Sequence, residues 1–163
     1  MPFRRFINNT RGAAAAEMAL ILPLSILLLF TGLEAGHYFY QQHQVVKALR
    51  DGARYAARQS FDDMTCGTPN GTVVTNVQNL TVYGTLGTGS PRINTWAPAD
   101  VTVTVDCSVT GTFAQTGIYD ATDTARKVVL TTTVNYNSLF NGLGVITDSY
   151  SLNARQEAAV MGI

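Results

Sequence analysis

Sixteen consecutive residues, 18–33, carry no charge and are bracketed by Glu17 and Glu34. Counting the flanking small residues extends this to 24 mostly apolar positions, residues 13–36. At about 1.5 Å per residue such a helix reaches roughly 36 Å, enough to cross a hydrocarbon core of ~30 Å. The run therefore predicts a membrane-spanning helix. Arg4, Arg5 and Arg11 precede it with no acid, so the positive-inside rule predicts a cytoplasmic N-terminus and places the remainder outside. A cleaved secretory signal also joins a basic start to an apolar stretch. Such stretches are roughly 7–15 residues long, shorter than this one, and no A-x-A-like site follows here. Pro23 lies inside the run and removes one backbone hydrogen bond, to the Ala19 carbonyl, which predicts a kink.

The helical pattern continues past the apolar run. Residues 37–60 contain no proline, and Val45, Leu49, Ala53 and Ala56 recur at four- and three-residue spacing, the stripe of an amphipathic helix. Lys47, Arg50, Asp51, Arg54 and Arg58 mostly occupy the other faces. One helix of about 45 residues, half in lipid and half packed on a domain, accounts for both stretches. Gly32 and Gly36 have a small-xxx-small spacing that permits close helix contact. Glu34, at the outer boundary, fits three situations equally: pairing with a neighbouring subunit, pairing with a basic residue, or solvation.

From residue 61 to 163 the composition turns rich in threonine and valine, which favour strands. Residues 101–105 alternate Val-Thr-Val-Thr-Val, and residues 127–136 and 149–160 supply two further candidate strands, the last with an end compatible with helix. Residues 72–80 fit either a short helix or a strand. Gly84, Gly87, Gly89 and Pro91 mark a loop, as do residues 116–124. The expected class is α+β: a long N-terminal helix covering a small antiparallel sheet of three or four strands. Cys66 and Cys107 are the only cysteines. Both fall on the predicted outer side, so a disulfide is expected between the segment after the helix and the end of the 101–105 strand.

Composition narrows the function. The chain has 11 basic and 11 acidic residues and only 13% charged positions, which gives no basic face for nucleic acid. No P-loop, H-E-x-x-H or G-x-S-x-G motif is present. His37 and His43 are six apart, on different helix faces, and two isolated cysteines lack the paired spacing that zinc requires. Asp62, Asp63, Asp120 and Asp123 read as solvated loop charges. No enzyme, cofactor or metal is expected.

The junction Arg11-Gly-Ala-Ala-Ala-Ala-Glu17 is the most informative stretch. A basic leader, a glycine, small residues and a glutamate five positions after the glycine, followed by an apolar helix, resemble the class III signal of type IV pilins and pseudopilins. With Glu34 and Gly36 after the apolar run, and Gly52-Ala53-Arg54-Tyr55-Ala56-Ala57 ending the helix, the chain resembles the TadE family of tight-adherence (Tad, or Flp) pilus systems. The resemblance covers residues 11–58, and TadF and TadG proteins share its N-terminal pattern.

That resemblance implies a pilin-like minor pilin or pseudopilin. Residues 1–12 would be a leader cut after Gly12 by a prepilin peptidase, leaving Ala13 as the new N-terminus. The mature chain would carry 8 basic and 11 acidic side chains, net −3. Its implied partners are the major Flp-type pilin, other minor pilins, an inner-membrane assembly platform and the lipid bilayer. Glu17 would pair with the free Ala13 amine of an adjacent subunit. A carboxylate near the start of a membrane helix costs up to ~2.5–3.5 kcal/mol at the bilayer centre, a cost that a cationic partner or a headgroup position relieves. A reading from a different class keeps the chain uncut, as a membrane-anchored periplasmic scaffold of an envelope complex. The mature N-terminus separates the two.

Overall fold

A single helix, α1 (Thr10–Ala57, 48 residues), dominates the structure and runs through Pro23 without interruption. The computed structural model describes residues 10–108, 125–141 and 148–162. The expected loop at 116–124, with Asp120 and Asp123, lies outside the described residues. Along α1 the environment changes once. Residues 12–29 are all exposed, Phe30 is the first to be partly covered, and from Glu34 onward buried positions recur. The covered half presents Val45, Ala48, Leu49, Ala53 and Ala56, each 3% exposed or less. These are the stripe residues joined by Ala48, at the three- and four-residue spacing that puts one helix face inward.

The undecided segment is a helix, α2 (Gly71–Tyr83). Asn70 caps its start by accepting from the Thr72 N–H at 2.9 Å, while its amide donates to Asp63 at 2.8 Å. Asp63 thus orders the turn after α1 as well as facing water. Gly84 ends α2 in the left-handed conformation (φ 78°), its N–H reaching the Leu80 carbonyl, a position that suits a residue without a Cβ. Val73, Val77 and Thr81 face inward. α2 packs on α1 where Gly52 comes closest. A Cβ built on Gly52 would lie 2.2 Å from Thr81 Oγ1 and 3.1 Å from Leu130 Cδ2.

A 3-10 turn (Pro98–Asp100) leads into β1 (Val101–Asp106), followed by β2 (Lys127–Asn135) and β3 (Ser151–Ala159). The described sheet has three strands in the order β1-β2-β3, antiparallel throughout, and β3 stays extended to its end. Register places Val105 opposite Val128, Val103 opposite Leu130, and Val134 opposite Leu152, so one face of the sheet meets the helices. Thr132 lies on that face and is satisfied twice: it accepts from Trp96 Nε1 and donates to the Asp100 carbonyl, both at 3.0 Å. The other face carries Lys127, whose ammonium lies 3.0 Å from Glu157, and Arg155, 2.6 Å from the same carboxylate.

Two ties close the domain. Cys66 and Cys107 form a disulfide across 41 residues, from the segment after α1 to the end of β1, as expected. Beyond β3 the Met161 N–H donates to the Ala57 carbonyl at 2.8 Å. This satisfies one of the terminal carbonyls that a helix end leaves without an internal partner.

Candidate functional site on the long helix

The sequence singles out Gly12, Ala13, Glu17, Gly32, Glu34 and Gly36, and α1 places all of them on one continuous rod. It does not bring them together: at about 1.5 Å per residue, Glu17 and Glu34 sit roughly 25 Å apart along the axis. They also occupy opposite kinds of surroundings.

Gly12, Ala13 and Glu17 belong to the uncovered stretch. All three are exposed, and among the described residues Glu17 makes no hydrogen bond or ion pair. Met18, Leu20, Ile21, Leu22, Leu24, Ile26, Leu27, Leu28 and Leu29 surround the rod with side chains 46–79% exposed. An apolar surface of this extent does not stay in water in a soluble monomer. Gly32 and Gly36 are also open: a Cβ on either would meet nothing within 4 Å. Among the described residues they make no close helix contact.

Glu34 differs from all three situations expected of it. It is fully buried, and its partners are neither a cation nor water. Oε1 accepts from the Tyr136 hydroxyl at 2.5 Å and from the Leu139 N–H at 3.1 Å, while Oε2 accepts from the Phe140 N–H at 3.1 Å. The carboxylate thus takes up two part-buried backbone donors of the segment leaving β2. Phe140 then packs edge-on against Phe30, one turn closer to the bare end, with ring centroids 4.8 Å apart.

A polar chain continues outward from this contact. His37 Nδ1 lies 3.2 Å from the Tyr136 oxygen, and Gln41 Nε2 lies 3.2 Å from His37 Nε2. Because the Tyr136 proton is directed to Glu34, its oxygen is left to accept from His37 Nδ1–H, leaving Nε2 to accept from Gln41. Tyr38 stacks edge-on against Tyr136 at 5.2 Å. Burial first, and then the hydrogen bond to Glu34, push the Tyr136 hydroxyl well above the ordinary tyrosine range. Tyr136 is therefore a neutral donor throughout the physiological range. Sequence reasoning missed Tyr136, Leu139 and Phe140 as partners of Glu34. They lie more than 100 positions away, and nothing local marks them.

The architecture is that of a chain with one N-terminal helix long and apolar enough to cross a membrane, its outer half serving as the spine of a small disulfide-tied α+β domain. Residues 12–54 match the family model described as TadE-like protein. Over these residues the N-terminal helix is thus similar to that family, in agreement with the resemblance its sequence carries. The match includes Gly12, Glu17, Glu34 and Gly52 and stops before α2 and the sheet. No curated protein and no solved structure matches the chain.

Proposed function

We propose that this protein is a minor pilin or pseudopilin of a Tad pilus system. In this reading it is inserted N-in with the domain outside, and a prepilin peptidase cuts it after Gly12. An inner-membrane platform then assembles it with Flp-type and other minor pilins. The observation that carries the reading is the bare stretch of α1. Residues 12–29 are exposed along their whole length, and Glu17 is the single charge among them. A carboxylate on a rod bound for lipid is costly without a cation. Cutting after Gly12 creates one, the free Ala13 amine, which a neighbouring subunit would present to Glu17. The family match over residues 12–54 supports the same reading.

The two residues have separable roles. A side chain at Gly12 obstructs a peptidase pocket shaped for glycine, whereas Glu17 acts after cutting. The test is the strain carrying only Glu17→Leu, scored for insertion, precursor size and piliation. Insertion without pili supports the pairing, and normal pili would sink it.

A further inference from the structure

The segment after β2 descends along α1 toward its bare end. Tyr136 meets Glu34 and His37, Leu139 donates to Glu34, and Phe140 reaches Phe30. At about 1.5 Å per residue a ~30 Å hydrocarbon core takes up about 20 residues, which from Gly12 ends near residue 31. A further ~5–7 Å of headgroup layer on that side extends to about residue 35, the level of Leu33, Glu34 and Leu139. Here Leu33 is 53% and Leu139 55% exposed. Irregular backbone can approach the hydrocarbon boundary without exposing unpaired donors to it when they are satisfied within the protein, and the buried Glu34 carboxylate takes the N–H groups of Leu139 and Phe140.

We propose that residues 138–140 form a membrane-contacting tip that seats Leu139 in the interfacial layer of the lipid bilayer, at the level of Leu33, with Glu34 taking up the backbone donors of the tip. The domain then rests on the bilayer surface at a fixed height instead of standing clear of it. This rests on the reading that the bare stretch of α1 crosses the membrane. Lipid is the occupant because Phe140 packs on Phe30 of that stretch, and Leu33 and Leu139 are exposed apolar side chains at the same end.

The test uses the full chain in two sets of vesicles, one with lipids brominated near the top of the acyl chain and one with lipids brominated near its end, read by tryptophan fluorescence. Trp96 is 2% exposed and packed against Thr132 in the domain, so the wild-type chain supplies the baseline. Leu139→Trp, Leu22→Trp on the bare helix and Thr133→Trp on the exposed sheet face are compared. The expected result is that Leu139→Trp and Leu22→Trp lose most of their added emission to bromolipid, while Thr133→Trp does not. Quenching of Leu22→Trp alone overturns the proposal and leaves the membrane span standing. Quenching of neither overturns both. A blue shift of Leu139→Trp that grows with protein density but ignores bromolipid overturns the proposal in favour of a contact between subunits.

Discussion

The Tyr136 hydroxyl donates to Glu34 Oε1 at 2.5 Å across 102 residues of sequence, fixing the end of β2 to the helix where α1 passes from exposed to covered. Removing the acceptor strands the Leu139 and Phe140 N–H groups along with the hydroxyl. Glu34→Ala is expected to destabilise the domain by on the order of 3 kcal/mol, and Tyr136→Phe by about 1–2 kcal/mol. In Glu34→Gln an amide hydrogen-bond donor replaces one carboxylate oxygen, so at least one protein donor is left unmatched whichever way the amide points: the Phe140 N–H in one orientation, the Tyr136 hydroxyl and the Leu139 N–H in the other. Urea unfolding of the full chain in micelles measures all three. Faster amide exchange confined to residues 136–141 would accompany the loss.

The hydroxyl also gives a pH signature. Its folded pKa is raised, so its contribution is fully present below the ordinary value of about 10 and is lost as pH rises through the folded value. Tyrosinate absorbance should contain a late component that emerges only as the domain unfolds in alkali and that Tyr136→Phe removes. At the acid end the sign reverses. The Ser108 hydroxyl and N–H hold Asp106 below the ordinary carboxylate range, and Arg155 followed by Lys127 does the same for Glu157. Their contribution is present above that range and declines as pH falls through it.

Gly52 is where α1 and α2 approach too closely for a side chain. Gly52→Ala gains about 1 kcal/mol of helix propensity but introduces an overpacking cost of about 1–3 kcal/mol against Thr81. Net destabilisation is expected, and a larger loss for Gly52→Val. Thr81→Ala should relieve part of the Gly52→Ala penalty in a double-mutant cycle. Strict additivity would place the clash elsewhere.

Reducing the Cys66–Cys107 bridge, or replacing both cysteines with serine, frees a 41-residue separation. The chain-entropy relation gives about 4 kcal/mol of lost stability. Denaturation with and without reductant measures it, and an unchanged midpoint would mean that the bridge does not constrain the unfolded chain.

The parts of this fold legible in the sequence are those with local signals. The alternation of residues 101–105 specifies a strand with one inward face, and the spacing of Val45, Leu49, Ala53 and Ala56 specifies the covered side of α1. The two cysteines had only each other to pair with. Residues 72–80 are ambiguous in the sequence because Val73, Val74, Thr72 and Thr75 are β-branched and favour strands. What makes the segment helical is the bracket of Asn70 and Gly84 together with the burial of Val73, Val77 and Thr81 against α1. Glu34 was legible as an unusual charge but not as a clamp. Its partners come from the far end of β2, and a carboxylate satisfied by backbone N–H groups leaves no charge pattern to find.

The proposed entry into pilus assembly through a cut after Gly12 is tested most directly by the mass of the mature N-terminus in a peptidase-positive strain. Such a cut predicts a chain beginning at Ala13, with Gly12→Val retained at precursor size in the membrane. A wild-type chain that keeps residues 1–12 in that strain, or normal processing of Gly12→Val, would contradict it.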